Sequence, residues 1–386
     1  MRKFFSKIDI PLLILMVLYS AFGLLMIYSA SSVSAVIRYQ VPHYNFFLKQ
    51  ALFLGATFII GFSFILKFPT RNYKALVWPL IIGVIVALGM LFVHGKITGD
   101  GIKSWYDLKF FSLQPSEFAK TILILFSAVF YHDLHQKKIK NIYVYLIPFA
   151  ITLLIVGLII MQPDFGSAII VLGIGFFIFI SIPNVNHNLI KVIKIIALAV
   201  IIGGIALIYS GQEILNRMQI DRFTFQDPCS RYTEATGYQV CNGFVAIKNG
   251  GILGSGLGNS TQKYLYLPES HTDFIFPIIV EECGLLMGIA VILGYGYMLY
   301  RILKIAFNSE TLRCSILAYG TFWYLSIHIL INLLGVLALI PLTGVPLPLL
   351  SYGGSYAVNV VGMLFVVQRV NIENKINKTK REIKSL

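Results

Sequence analysis

The chain has 386 residues, 57% hydrophobic and only 12% charged, about half the charged fraction of a soluble domain, and uncharged runs such as Leu12 to Ile37 and Leu80 to Val93 recur from end to end. This composition defines an all-α integral membrane protein and excludes separate soluble domains of ordinary size; at ~20 apolar residues per spanning helix there is room for about ten. A net charge of +14 would point to nucleic acid in a soluble protein, so its placement along the chain decides the reading.

Helix-length apolar runs fall near residues 10–33, 47–66, 76–94, 115–132, 142–161, 165–183, 192–209, 274–299, 314–337 and 347–367. With the amino terminus inside, the inner segments hold 20 of the 31 Lys and Arg but 5 of the 17 Asp and Glu, a net of +15 against −1 for everything else. A basic excess confined to one side is the positive-inside pattern; it places both termini in the cytoplasm and removes the support for a nucleic-acid partner. The first run is too long for a signal-peptide core and lacks a small-residue cleavage site, so it reads as a retained helix. Residues 1–368 read as one polytopic membrane domain with a long extracellular loop, 210–272, between the seventh and eighth helices, and residues 369–386 as a polar, basic, mobile cytoplasmic tail.

Three regions interrupt the apolar pattern. The loop carries Asp227, Pro228, Gly237, Asn242 and Gly243 and then Gly250, Gly251, Gly254, Gly256 and Gly258, a stretch whose glycines argue against a regular helix. Cys229 and Cys241 share it, either as a disulfide or as two unlinked thiols; with Cys283 and Cys314 they form no CxxC or metal-like cluster. A second outer region, His94 to Leu113, contains Lys103, Trp105, Asp107 and Lys109, where Trp105 is either an interfacial anchor or a stacking platform for a sugar. The third, Pro341 to Gly354, combines three prolines with Gly353 and Gly354 and predicts a broken or re-entrant segment lining a cavity. No G-x-x-x-x-G-K-[ST] motif occurs, so any work must draw on a gradient or an already activated substrate.

Ionisable groups at membrane depth are costly and mark functional candidates. The set is Glu117, Lys120, Asp164, Asp273, Glu281 and Glu282. Glu117 and Lys120, three apart, share a helix face and form either a structural ion pair or a cation for an anionic substrate beside its partner. Asp164 follows Pro163 at a helix start, where an acid also serves as a cap. Asp273, after His271 and Thr272 at the outer mouth of the eighth span, faces water and a cavity and is either a general base or a helix cap. Glu281 and Glu282 lie about two turns deeper and point apart, so at most one can share a cavity with Asp273.

The run Gly256-Leu257-Gly258-Asn259-Ser260-Thr261-Gln262-Lys263, then Tyr266 through Phe276 and Glu281-Glu282, resembles the SEDS family of FtsW, RodA and SpoVE. Gln114 through Lys120, Gln162-Pro163-Asp164-Phe165-Gly166, and Pro341 through Ser355 agree with it in order over nearly the whole chain. Gly-Leu-Gly-Asn-Ser before Gln-Lys, Asp227-Pro228 and Gly237-Tyr238-Gln239 look like the division branch more than the elongation branch. Tyr356, where a small residue is usual, and Cys241-Asn242-Gly243 depart from the pattern.

The resemblance implies a ten-helix peptidoglycan glycosyltransferase that polymerises lipid II, a polyprenyl-diphosphate-linked precursor, on the outer face of a bacterial cytoplasmic membrane. A class B penicillin-binding protein and other division or elongation proteins are the implied partners. By resemblance Asp273 is the essential aspartate, with Glu117 and Lys120 the family's buried pair. The leaving diphosphate would need cations, with Lys120, Lys263, Arg217, Arg222 or a divalent metal ion as candidates; no other cofactor is implied. Trp105, Asp164, Lys263, His271, Glu281 and Glu282 are the supporting candidates. An elongation-type polymerase, a lipid II flippase without bond chemistry and a non-catalytic scaffold are the competing readings.

Overall fold

The computed structural model describes residues 7–95, 104–108, 112–139, 141–182, 195 and 227–384. Within them the chain runs through α1 (Ile10–Ile37), α2 (Asn45–Ile60) extended by a π-helical turn (Gly61–Ile65), a 3₁₀ turn (Thr70–Tyr73) and α3 (Lys74–His94). A two-residue antiparallel ladder, β1 (Tyr106–Asp107) with β2 (Ser112–Leu113), precedes α4 (Pro115–Gln136), α5 (Ile142–Tyr145), α6 (Ile147–Ile160) and α7 (Phe165–Ile180). The last four helices are α8 (Ala235–Gly250), α9 (Ile275–Phe307), α10 (Leu312–Val336) and α11 (Gly354–Lys384).

Among the described residues seven helical stretches are long and apolar enough to cross a membrane, and Phe165–Ile180 is apolar but shorter. Glu117, Lys120, His132 and Asp133 dilute α4, which is nevertheless 22 residues long. Helices thus occupy nine of the ten predicted runs; the seventh, 192–209, apart from residue 195, and the loop as far as 226 lie outside the described residues. Of these seven, α10 and α11 are the most enclosed, whereas α2 and α3 have the smallest buried share, as expected of helices facing lipid.

The end of the bundle that holds the termini is fastened by polar groups. Asp9 caps α1, accepting from the Leu12 amide at 3.1 Å, and also binds Arg301 on α9. The Gln368 amide brackets the Asp9 backbone, accepting its N–H at 2.8 Å and donating to its carbonyl at 2.9 Å. Arg369 donates to the Leu66 carbonyl, freed at the end of the π turn, and to Glu373, which in turn accepts from the Thr70 amide and hydroxyl. The predicted polar tail therefore does not begin at 369: α11 continues to Lys384, with Arg369, Asn371 and Asn374 buried in its first two turns beyond Gln368.

At the opposite end two expectations change. The loop contains a helix, α8, across Gly237, Asn242 and Gly243. Its glycines serve close approach rather than chain breaking: a Cβ on Gly237 would lie 2.2 Å from the Arg231 carbonyl oxygen, and one on Gly250 2.1 Å from that of Val280. Cys229 and Cys241 form a disulfide that ties the preceding turn to this helix, with Cα atoms 4.9 Å apart. The last span starts at Gly354, not near 347, because 337–353 is irregular, with Leu349 at φ +65°. This is the broken segment that the prolines predict.

Helix α9 is itself interrupted. Gly284 sits at φ +85°, ψ +167°, and the loop after α8 is spliced into the break. In an unbroken helix the Leu285 and Leu286 amides would donate to the Glu281 and Glu282 carbonyls. Instead they donate to Gly251 and Ile252 at 2.9 and 3.3 Å, while the orphaned carbonyls accept from the Ser255 and Gly256 amides at 2.9 and 3.0 Å. The exchange leaves all four groups hydrogen-bonded.

Candidate functional site

The irregular segment 337–353 organises the polar groups at this end. Asn332, 3% exposed on α10, donates one amide hydrogen to the Asp273 carbonyl and the other to the Val345 carbonyl, both at 2.8 Å. It thereby locks the start of α9 against the segment. The Asp273 carboxylate accepts from the Thr272 hydroxyl at 3.1 Å and faces Gly344, where a Cβ would stand 3.8 Å from Oδ2. The cap position of α9 is Phe274, so Asp273 is not the helix cap. At 6% exposed it is also more enclosed than its place beside the loop predicts.

On the other flank of the segment, Gly166 at the start of α7 would put a Cβ 3.0 Å from the Thr343 carbonyl oxygen. Asp164 caps that helix, accepting from the Ser167 amide at 3.0 Å and from the Gln114 side chain at 3.1 Å. Its capping role is thus filled. Three residues beyond Gln114, Glu117 begins the buried pair: Lys120 Nζ lies 2.7 Å from Glu117 Oε1 and 3.3 Å from His328 Nε2 on α10, all three being at most 3% exposed. The rings of Tyr324 and Tyr356 flank His328, with Tyr356 stacked at 4.8 Å. Among the described residues Glu117 Oε2 and both tyrosine hydroxyls have no hydrogen-bond partner, an unusual concentration of unsatisfied buried polar atoms. Tyr356, the departure from the family pattern, therefore packs on the pair's third member.

Glu281 and Glu282 do something else. Glu281 accepts from Ser260, from the amide and hydroxyl of Thr261 at 3.1 and 2.8 Å, and from the Gln262 amide at 3.3 Å. Glu282 accepts from Ser29 on α1 at 2.6 Å and from Lys263 at 3.0 Å. Both carboxylates thus fasten the 260–263 turn. Lys263 spends its three donors on Glu282, the Gly258 carbonyl and Ser29, so it is committed to the same anchor and has none left for a substrate phosphate.

His271 is 2% exposed in an aromatic cage of Phe46, Tyr352 and Tyr39, with ring centroids 4.7, 5.7 and 6.3 Å away. Burial first, and then the Arg38 charge, push its pKa down to about 4. A neutral imidazole whose backbone carbonyl accepts from Tyr352 at 2.9 Å holds the segment to the α9 approach. Trp105 is half-buried at the edge of the β1–β2 ladder, which reaches the first turn of α11, just after the segment, where Ser355 meets the Gln114 amide and the Ser112 carbonyl. Arg217 and Arg222 lie outside the described residues.

Asp273, Asp164 and the Glu117–Lys120 pair thus surround one segment, whereas Lys263, Glu281 and Glu282 belong to a separate anchor. His328 and Asn332 escape a search restricted to charged residues, although two polar side chains four apart in an apolar run are a readable signal. No group of three or more His, Cys, Asp or Glu side chains comes together among the described residues. These described residues therefore form no protein cage for a divalent cation. The 230 Å³ apolar cavity between the π turn, α3, α4 and α11, lined by Phe64, Tyr73, Leu125 and Met363, lies away from Asp273.

A helical bundle with acids and a buried ion pair gathered around a broken segment at one end defines a polytopic membrane protein with an enclosed polar site. The chain belongs to the cell cycle protein family of FtsW, RodA and SpoVE, whose profile matches residues 10–376. It is 37% identical to the probable peptidoglycan glycosyltransferase FtsW of Bacillus subtilis, over 99% of this chain and 95% of that one. It is 33% identical to the stage V sporulation protein E of the same organism, over 94% and 97%. Among solved structures, a chain of a peptidoglycan synthase complex that coordinates polymerization and crosslinking superposes with a TM-score of 0.73, at 24% identity over 95% of this chain and 98% of that one. The Thermus thermophilus rod shape determining protein RodA gives 0.66, at 24% identity over 94% and 96%.

Proposed function

We propose that this protein is a peptidoglycan glycosyltransferase that polymerises lipid II on the outer face of a bacterial cytoplasmic membrane, in the division branch of the family. The observation that carries the reading is Asp273, whose backbone Asn332 fixes against a glycine- and proline-rich segment and whose enclosed carboxylate faces Gly344. The donor sugar is already activated through its diphosphate, which agrees with the missing nucleotide motif.

In this reading Asp273 takes the proton from the acceptor sugar hydroxyl as its oxygen attacks the donor's anomeric carbon, and the bond to the polyprenyl diphosphate breaks with inversion. The role parallels that of the base carboxylate in inverting glycosidases. The departing diphosphate carries the negative charge away. Lys120, held by Glu117 and His328, is a candidate cation, while Lys263 is spent on its anchor. Septal placement and a class B penicillin-binding protein partner belong to the same proposal, supported by the identity to the Bacillus subtilis relative and by the synthase-complex neighbour.

The test is purified protein, alone and with its transpeptidase, given labelled lipid II and scored for long glycan on a gel. Asp273→Asn keeps the shape and removes the base, so polymerisation should fall by ~10²-fold or more. Full activity in a folded Asp273→Asn protein would refute the assignment. Lipid movement without new glycan would favour the flippase, and polymer made only by the partner the scaffold.

A further inference from the structure

The loop spliced into α9 carries a cluster of exposed apolar side chains. Leu253 is 80% exposed, Ile252 66% and Leu257 59%. Such a cluster on a water-facing loop would be unfavourable. Its level is fixed by its hydrogen bonds, because Gly251 and Ile252 pair with Leu285 and Leu286, the first residues of the long run of α9. Arg301 lies about 16 residues further along that helix, or ~24 Å of rise. With Arg301 and Asp9 at the polar boundary near the termini, the loop falls just inside the far boundary of a hydrocarbon layer ~30 Å thick.

Irregular backbone is normally excluded from that zone because its polar groups go unpaired. Here much of the pairing is supplied: Gly254 N–H donates to the Gly250 carbonyl at 2.8 Å, and the exchange with α9 satisfies the Gly251 and Ile252 carbonyls and the Ser255 and Gly256 amides. The neighbouring face of α9, Leu285, Leu286 and Ile289, is exposed as well, so the loop extends a lipid-facing strip without a break. The polar residues before it, Lys248 and Asn249, are also exposed and would stand at headgroup level.

We propose that residues 251–257 form a membrane-seated wedge, with Ile252, Leu253 and Leu257 among the acyl chains of the leaflet facing away from the termini. The occupant of this surface is lipid, and the inference is independent of the reaction proposed above. A wedge fastened to α9 and, through Glu281 and Glu282, to the 260–263 turn ties the height of the outer loop to the lipid surface.

The test uses the full-length protein with Cys283 and Cys314 replaced by Ser and the Cys229–Cys241 disulfide kept. A nitroxide is attached at Leu253→Cys or, in a separate protein, at Leu257→Cys, and each is reconstituted in phosphatidylcholine–phosphatidylglycerol vesicles. Power saturation compares collision with oxygen, which concentrates in lipid, and with a water-soluble nickel chelate. Leu293→Cys, 67% exposed midway along α9, is the lipid reference and Lys380→Cys, exposed near the end of α11, the aqueous one. Both wedge positions should favour oxygen, as Leu293→Cys does. Preference for the chelate at both positions would overturn the proposal by placing the loop in water. Shielding from both reagents would also overturn it, because protein rather than lipid would then cover the patch.

Discussion

Removing one charge of the Glu117–Lys120 pair should do more damage than removing both. The two side chains are 4% and 1% exposed, with Nζ and Oε1 2.7 Å apart, so neither charge can turn to water. Lys120→Met leaves the Glu117 carboxylate without its cation, and Glu117→Gln leaves Lys120 with His328 as its remaining polar contact. Each single change should cost ~3–5 kcal/mol, the usual penalty for an uncompensated buried charge. The double variant replaces the pair with uncharged side chains of similar size and should fall within ~1 kcal/mol of the parent or gain stability. Thermal unfolding of the four proteins in detergent, read as a double-mutant cycle, gives the coupling directly. Single losses below ~1 kcal/mol, or a double loss equal to their sum, would refute the reasoning. The same four proteins separate roles: a stable double variant that still polymerises lipid II makes the pair structural, and a stable but inactive one makes its charge part of the reaction.

Further outcomes follow from neighbouring groups. His271 stays neutral in its cage while the unfolded chain takes up a proton below about pH 6.5, so stability present at neutral pH should be lost between about pH 6.5 and 4. The total is ~3 kcal/mol, and His271→Gln should flatten that slope in unfolding curves recorded from pH 7.5 to 5. Gly284→Ala combines φ +85° with a Cβ 2.3 Å from the Ile252 carbonyl oxygen and should cost ~3 kcal/mol or more, seen as a lowered melting temperature; an unchanged one would argue against the splice. Replacing Cys229 and Cys241 by Ser opens a loop with a sequence separation of 12, worth roughly 3 kcal/mol, and should speed proteolysis around α8 before the spanning helices are touched.

The spanning helices were legible because lipid imposes a simple code, long apolar runs with charge at their ends. Asp273 and the Glu117–Lys120 pair stood out for the same reason, since few charges occur in such runs. Helix α8 was not legible: Gly237 and Gly250 look like chain breakers, and only the fold reveals that the Arg231 and Val280 carbonyls need their missing Cβ atoms. Glu281 and Glu282 could be flagged but not assigned, because their partners Ser260, Thr261 and Ser29 are uncharged residues from distant stretches. The start of α11 was misplaced by several residues because apolar content continues through 347–350 while Pro346, Pro348 and the positive φ of Leu349 keep that backbone out of a helix.

Surface loops ordinarily tolerate changes of length. The stretch from Gly251 to Gly256 should not, although it lies outside the bundle's core. Two amides and two carbonyls of α9 are matched one to one with groups on this loop, so inserting or deleting a single residue would put every pair out of register and leave breaks on both strands of the exchange. Over these six positions the chain's spacing is inherited from a helix it does not belong to.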